Sequence, residues 1–257
     1  MPFLSIDGRR LHYCTAGGAG TAPLLLLHGL GDDARGWSPQ MEPLAARFRL
    51  VAPDLPGQGE SEAPPQFADY AVEAQAEVVA ALLEHLEIER AHVAGHALGG
   101  IVALAFALAY PERLAGLILE STSPEPLPDA LRERMRRALT RDQERGPGGG
   151  ETMAASARSL RSRSGETEEA PPTPAAWALV AFDGFVPRLE TLTAPTLVVV
   201  GESDSAFLQR GAELLHVWIP FSRLVRVPNA ARVPHQENPA AFAAEVAGFL
   251  REVETMT

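Results

Sequence analysis

Short apolar stretches alternate with longer segments of helical periodicity along most of this chain of 257 residues. Residues 24–27 are four consecutive leucines that end at His28-Gly29. Comparable, largely apolar stretches closed by Gly, Pro or an acidic residue occur at 48–52, 92–94, 117–119, 196–200 and 224–227. Runs of this length and composition are typical of strands buried on both faces, as in parallel sheets.

The segments between these strands carry the periodicity of helices. Residues 72–86 place their apolar side chains on one face, and residues 98–109 are apolar nearly all round, which favours a central helix against the sheet. Residues 239–253 begin with Pro at a first-turn position. A hairpin turned at Asp7-Gly8 is expected near the N-terminus. The alternation predicts an α/β fold, with a mostly parallel central sheet flanked by helices.

Residues 123–187 differ from this pattern. They contain closely spaced prolines, a basic helical pattern, a glycine run at 146–150 and a Pro-rich segment. We expect an inserted helical lid between the sixth and seventh strands, with the core formed by 1–122 and 188–257. The composition of 146–150 and 162–174 favours disordered surface chain within this lid.

Composition narrows the choice of partner and compartment. The formal net charge of −11 argues against a nucleic-acid or an anionic-membrane partner, since both select basic surfaces. The single cysteine, Cys14, excludes an intrachain disulfide framework. Neither a signal peptide nor a membrane span is expected, because no basic region precedes a long apolar stretch. We therefore expect a cytoplasmic protein whose partner is a small organic molecule; the oligomeric state is not indicated.

Two glycine-rich turns follow predicted strands and are suited to holding a reactive oxygen. In His28-Gly29-Leu30-Gly31, the Leu30 N–H can point into a pocket as one half of an oxyanion hole. In Gly95-His96-Ala97-Leu98-Gly99-Gly100, small residues permit a sharp strand-to-helix turn that lifts residue 97 into the site. The Leu98 N–H, at a helix N-terminus, would supply the second oxyanion donor.

With these turns in place, the chain resembles the α/β-hydrolase superfamily over nearly its whole length. The segment 195–204 is similar to the family's acid-bearing strand end, with Asp204 as the acid, and 227–239 is similar to its histidine loop. Residues 120–124 and 201–208 resemble the menaquinone-pathway succinyl-hydroxycyclohexadiene-carboxylate synthase-like lyases and their esterase relatives. The chain has Ile101 where those lyases carry an arginine.

Two positions depart from the family pattern. The nucleophile position is Ala97, whose methyl group cannot attack a substrate, and the general-base position is Arg232. A guanidinium does not lose its proton in proteins and cannot act as a base. Only Asp204 remains of the three roles that Ser-His-Asp catalysis needs. We expect Arg232 to fill the vacated space and to pair with Asp204. The alternative is that its longer side chain turns into the pocket and serves as an anion receptor beside the Leu30 and Leu98 N–H groups.

Several further side chains are candidates for the pocket. The predicted pocket residues are His28, Trp37, His96, Glu120, Phe182 and His235. We interpret His28 as a structural residue of the turn and keep His96 as a displaced base. His235 lies only three residues after Arg232, so it is the candidate that we favour as a replacement for the missing base. Glu120 closes a strand at the carboxyl edge of the sheet, where relatives sometimes place the acid.

The sequence indicates no cofactor and no metal, because His and Cys residues lack ligand spacing and no phosphate-binding loop is present. The first hypothesis is a protein of this fold without the Ser-His pair that binds a small carbonyl- or carboxylate-bearing molecule. It would catalyse a non-hydrolytic lyase, cyclase or isomerase step. Two alternatives stay open: a non-catalytic binding or interaction module, and an ester hydrolase inactivated by engineering.

Overall fold

The computed structural model describes residues 2–6, 8–18, 21–144 and 173–256. Within them, strands form one eight-stranded sheet in the order β1-β2-β4-β3-β5-β6-β7-β8. The strands are Phe3–Ile6 (β1), Arg9–Ala16 (β2), Ala22–Leu27 (β3), Phe48–Pro53 (β4), Ala91–His96 (β5), Leu114–Glu120 (β6), Thr196–Gly201 (β7) and Ser222–Val227 (β8). β2 pairs antiparallel with β1 and β4, and all other neighbours are parallel. The predicted α/β fold is confirmed.

Helices cover both faces of the sheet. They are Ser38–Ala45 (α1), Val72–His85 (α2), Leu98–Ala109 (α3), Asp129–Glu144 (α4), Trp177–Ala181 (α5), Ala206–Trp218 (α6), Pro234–Glu237 (α7) and Pro239–Met256 (α8). One apolar core joins the sheet to α2, α3 and α6, and a second joins it to α1 and α8. Burial of apolar surface on both faces stabilises this arrangement.

The leucine run in β3 shows why the strand pattern is continuous rather than alternating. Leu25 and Leu27 belong to the core under α2 and α3, whereas Leu24 and Leu26 belong to the core under α1 and α8. Successive side chains of a strand point to opposite faces, so a central strand covered on both sides needs apolar residues at every position.

The last strand and two helices differ from the prediction. β8 lies at the edge of the sheet, and of its six residues only Val227 is buried, because no strand covers its outer side. The expectation of a strand buried on both faces was therefore wrong for 224–227. Helices α1 and α6 were not predicted; α6 begins after Ser205, whose side chain accepts a hydrogen bond from the Leu208 N–H.

Between β6 and β7 the described chain contains α4 and α5, which pack against each other. Leu139, Ala176 and Val180 form a small core of their own at this contact. The glycine run at 146–150 and most of 162–174 lie outside the described residues, as does Asp7 of the expected hairpin turn. The lid bounds of 123–187 remain a prediction.

None of the described helices is long and apolar enough to cross a membrane.

Candidate functional site

A cavity of about 1090 Å³ opens at the carboxyl ends of the central strands, where clefts of α/β sheets bind ligands. Its walls come from residues within 29–39, 96–101, 121–131, 179–182, 205–208 and 232–236. The glycine-rich turns after β3 and β5 therefore meet at one place, beneath the described parts of α4 and α5.

The turn after β5 holds Ala97 in a conformation that L-residues rarely adopt, with φ 49° and ψ −109°. The Ala97 N–H donates to the Glu120 carbonyl, and a Cβ on Gly95 would overlap the carbonyl oxygen of Gly99. Positive φ and close packing are the geometry of a strained elbow that presents a side chain at the top of the sheet. The structure has kept this elbow although the side chain it presents is a methyl group.

Two backbone N–H groups remain available beside the elbow. Leu30 and Leu98 both line the cavity, and neither N–H donates to another described residue. The turn that carries Leu30 is fixed because the Gly31 N–H donates to the Gln58 Oε1 at 2.7 Å. Backbone N–H groups without a partner in the described chain, one of them at the N-terminus of α3, can bind an oxyanion or a carboxylate oxygen.

Arg232 does not pair with Asp204, so the expected ion pair was wrong. Within the described residues, Arg232 forms no ion pair and no hydrogen bond, and it lines the cavity. Asp204 instead accepts a hydrogen bond from the Ser205 N–H on Oδ1 at 2.7 Å, and its buried Oδ2 has no partner in the described chain. The long side chain has room in the open cavity, and there its guanidinium can meet a ligand.

The charged groups that line the cavity differ in whether they form ion pairs. Arg35 is held by Asp33 and Glu60, and Glu125 pairs with Arg210 at 3.1 Å. Burial lowers the pKa of Arg232, while Asp204 and then Glu120 act in the opposite direction. A guanidinium stays protonated throughout the physiological range, so a positive charge without an ion-pair partner in the described chain faces the cavity.

Behind the elbow, Glu120 and His235 form a buried hydrogen-bonded pair. The His235 N–H donates to Glu120 Oε1 at 2.8 Å, and His235 Nδ1 contacts Oε2 at 2.7 Å. With Nδ1 as the donor, Nε2 is an acceptor for the Gln236 amide at 3.3 Å. Trp37 stacks on the His235 ring with centroids 4.0 Å apart.

His96 approaches the same carboxylate from the cavity side. Its Nδ1 lies 3.6 Å from Glu120 Oε2 and is buried without a hydrogen-bond partner in the described chain. Burial lowers its pKa well below the usual value, with smaller effects from His235, Arg232 and His28. The imidazole is therefore neutral near pH 7.

His96, Glu120 and His235 offer ligand atoms within 4.8 Å of one another, and no other such group occurs in the described ranges. Two imidazoles and a carboxylate are donors that divalent transition metals accept. The separation of 2.7 Å between Glu120 and His235 is, however, a hydrogen-bond distance, and the backbone N–H of His235 occupies the other oxygen. The cluster is arranged as a hydrogen-bonded one, and a metal would have to displace a proton from it.

The structure separates the remaining pocket candidates. Phe182 and His96 line the cavity, whereas His28, Trp37, Glu120 and His235 are buried behind its described wall. His28 Nε2 accepts from the Leu55 N–H at 2.9 Å, which fits the structural interpretation of this residue.

The sequence analysis included Ser121, Thr122 and Ser123 in the stretch that resembles the family but did not assign them to the pocket. They follow β6 and line the cavity. Ser121 has φ 44° and a buried hydroxyl with no hydrogen-bond partner in the described chain. The Thr122 hydroxyl donates to the Ala97 carbonyl at 2.8 Å. Their position directly after the strand ending at Glu120 was the available signal, since strand carboxyl ends form the binding edge of such sheets.

This fold and this pair of turns define the α/β-hydrolase class. The family model described as the alpha/beta hydrolase fold matches residues 22–148. A pimeloyl-[acyl-carrier protein] methyl ester esterase of Edwardsiella ictaluri is 31% identical over 93% of this chain and 95% of that protein. A putative 2-succinyl-6-hydroxy-2,4-cyclohexadiene-1-carboxylate synthase of Bacillus subtilis is 28% identical over 96% of this chain and 97% of its own length.

A solved structure of a thermophilic esterase from Thermogutta terrifontis has a TM-score of 0.81 and 31% identity, over 98% of this chain and 97% of that one. The chain spans about a third of the length of other curated relatives, with matches of 38 to 45% identity that cover 30 to 34% of those proteins. The chain belongs to the α/β-hydrolase fold family.

Proposed function

We propose that this protein binds a small organic carboxylate in the cavity and does not use Ser-His hydrolysis. The observation that carries the proposal is the Arg232 guanidinium, which lines the cavity without an ion-pair partner in the described chain, beside an elbow whose residue is Ala97. The Arg232 side chain is exposed at the mouth of the open cavity, so a ligand carboxylate can reach its guanidinium and form charge-assisted hydrogen bonds with it.

A carboxylate ligand is favoured over a neutral carbonyl compound because Arg232 lines the cavity instead of pairing with Asp204. A carboxylate could take two parallel hydrogen bonds from the guanidinium. The Leu30 and Leu98 N–H groups, which donate to no described residue, would then bind a second oxygen of the ligand, such as a carbonyl. The Thermogutta terrifontis esterase, which is similar in fold, was solved with malate bound, so its scaffold accommodates a small hydroxy acid.

A reaction is part of the proposal, and its class is non-hydrolytic. Without a hydroxyl at position 97 no acyl-enzyme forms there, so lyase, cyclase or isomerase chemistry on the bound acid is the expected kind. The relatives that match over nearly the whole chain include two esterases and a putative synthase, which supports a small-molecule site at this position of the fold.

Isothermal titration calorimetry with L-malate and its dimethyl ester tests the binding. The acid should bind and the ester should bind at least about tenfold more weakly, because it cannot make charge-assisted hydrogen bonds. Arg232→Gln should weaken malate binding by about tenfold or more. Arg226→Gln is the matched control, because Arg226 pairs with Glu213 on the surface of β8.

Equal affinity for acid and ester, or unchanged binding by the Arg232→Gln protein, would contradict the proposal. Binding of small acids without turnover of any carbonyl compound would instead favour the binding-module alternative.

A further inference from the structure

The imidazole of His96 has two edges in different surroundings. Nδ1 points inward, 3.6 Å from Glu120 Oε2. The opposite edge faces the oxyanion turn, since a Cβ on Gly29 would lie 2.9 Å from His96 Cδ2, 3.4 Å from Nε2 and 3.5 Å from the Ala97 Cβ. His96 Nε2 and the Ala97 Cβ thus both lie within 3.5 Å of the position that a Gly29 Cβ would take, on the side of the turn that carries Leu30.

Glu120 is fixed before any ligand arrives. Both of its oxygens contact His235, and the His235 ring is held by Trp37. A carboxylate beside one nitrogen of an imidazole orients the ring and stabilises the imidazolium that forms when the other nitrogen takes a proton. Hydrogen bonds of this kind are often long in the absence of ligand and shorten in the reacting complex.

The same corner contains candidate oxyanion donors, and the elbow position of the described chain carries a methyl group in place of a nucleophile. Leu30 and Leu98 line the cavity with N–H groups that donate to no described residue, and Ala97 contributes only a methyl group. A base next to two N–H donors is suited to removing a proton from the carbon beside a carbonyl, because the donors stabilise the negative oxygen that results.

We propose that His96 is a catalytic base that enolises a 2-oxo acid bound in this cavity; the inference rests on the proposed function. Nε2 takes the proton from the carbon next to the carbonyl. The C–H electron pair becomes the new C=C bond, and the carbonyl π electrons move to oxygen, which the Leu30 and Leu98 N–H groups bind. Arg232 holds the carboxylate, and return of a proton from His96 completes a cycle that needs no oxidant or co-reactant.

The test is hydrogen–deuterium exchange at C3 of 2-oxobutyrate in D₂O, followed by proton NMR on protein treated with EDTA. The protein should accelerate exchange at least about 100-fold over the protein-free solution, the lower end for positioned acid–base catalysis. Trimethylpyruvate has no exchangeable hydrogen at this carbon, so it reports binding alone by calorimetry.

His96→Asn is the main variant, because Asn keeps a polar atom near Glu120 and removes Nε2. Exchange should fall about 100-fold, while the affinity for trimethylpyruvate changes by less than about threefold. His92→Gln is the matched control, since His92 is also buried on β5 but packs against Gly116 and Phe48, away from the cavity. Exchange by this control should match that of the unaltered protein.

Glu120 is a positioning residue in this proposal, and its test is a pH profile. The exchange rate should depend on the fraction of neutral His96 imidazole and therefore fall at acid pH. The titratable and charged groups that face His96 are Glu120, His235, Arg232 and His28. Glu120→Gln removes a negative charge beside Nδ1 and should move the acid limb to lower pH, a shift that a purely structural role would not produce.

The outcomes separate the two proposals. Binding of trimethylpyruvate without exchange of 2-oxobutyrate overturns the role of His96 and leaves acid binding standing. Absence of binding by both acids overturns both proposals. Exchange that persists in the His96→Asn protein would assign the base to another residue. If the His96→Asn protein folds poorly, the pH profiles of the unaltered and Glu120→Gln proteins provide the test of His96. A parallel sample without EDTA completes the test: exchange seen only in that sample would indicate a metal at the cluster instead of a free base.

Discussion

His235 and Glu120, 115 residues apart in sequence, are joined by two hydrogen bonds, one from the His235 backbone and one from its side chain. This double contact ties the short helix α7 to the end of β6 beneath the cavity. Glu120 is fully buried and His235 nearly so, and both are enclosed by Trp37, Phe242 and the β5 strand end. The floor of the candidate site is therefore polar but enclosed.

The first prediction concerns the stability that this contact provides. Glu120→Gln replaces one of two acceptor oxygens with an amide N–H group, so one His235 donor loses its partner inside the protein. The free energy of unfolding should fall by about 2 kcal/mol, the cost of an unsatisfied buried donor. Urea denaturation followed by circular dichroism measures it.

The control for this prediction is Glu125→Gln, because Glu125 pairs with Arg210 at the surface. An exposed pair contributes less than about 1 kcal/mol, and the change should be correspondingly small. Equal losses of unfolding free energy in the two variants would show that the buried contact stabilises the protein no more than the exposed pair does.

The second prediction is a pH dependence of stability that originates at His92. Burial lowers the pKa of His92 to about 4, with a smaller effect from Arg90, against 6.5 for the ordinary group. Below pH 6.5 the unfolded chain gains a proton that the folded chain does not, so stability is lost as the pH falls from about 6.5 to about 4. The shift corresponds to about 3 kcal/mol over that window.

His92→Gln should flatten this part of the profile, measured as free energy of unfolding between pH 7 and 4.5. His96 acts in the same direction, so the variant removes only the share of His92. His85→Gln, at an exposed position of α2, should leave the profile unchanged. An unaltered slope in His92→Gln would contradict the assignment.

Much of the fold could be predicted from the sequence because central strands and capped turns leave local signals. The leucines of β3 and the small residues from Gly95 to Gly100 are such signals, and each lies where it was expected. Helix α6 also had one, since Ser205 precedes apolar residues Leu208, Ala212 and Leu215 at helical spacing. That helix was missed although the pattern is present.

The direction of the Arg232 side chain could not be predicted in this way. The resemblance to the family placed Arg232 and Asp204 at neighbouring positions, but a long side chain has several rotamers, and the choice depends on the space around it. The cavity supplies that space, and the Ser205 N–H supplies Asp204 Oδ1 with a local partner. Likewise, the contact between His235 and Glu120 depends on how α7 sits over β6, which no local pattern encodes.

The third prediction is that the protein does not hydrolyse short p-nitrophenyl esters above the protein-free rate. The elbow presents a methyl group, and Arg232 cannot accept a proton. The hydrolysis rate is measured from the absorbance of released p-nitrophenolate, with heat-denatured protein as the reference. A burst lost on denaturation would reveal another nucleophile, and Ser121, with its buried hydroxyl at the cavity, would be the first to replace.

The fourth prediction is that hydrolysis can be installed only by two changes together. Ala97→Ser restores a hydroxyl at the elbow, next to the Leu30 and Leu98 N–H groups. Arg232→His supplies a base, and its Nδ1–H can donate to the Asp204 Oδ2 that has no partner in the described chain. Because triad members act as a unit, the double variant should exceed each single variant by about 100-fold or more on p-nitrophenyl acetate.

Asp204 provides the control for this last prediction. Adding Asp204→Asn to the double variant leaves the new imidazole in the wrong tautomer and should reduce the rate at least about tenfold. Arg232→His also removes the guanidinium, so the double variant should lose malate binding as it gains ester cleavage. Full activity in Ala97→Ser alone would mean that an existing imidazole already reaches the elbow. His96 is then the candidate, because its Nε2 and the Ala97 methyl both flank Gly29, and adding His96→Asn to that single variant should abolish the activity.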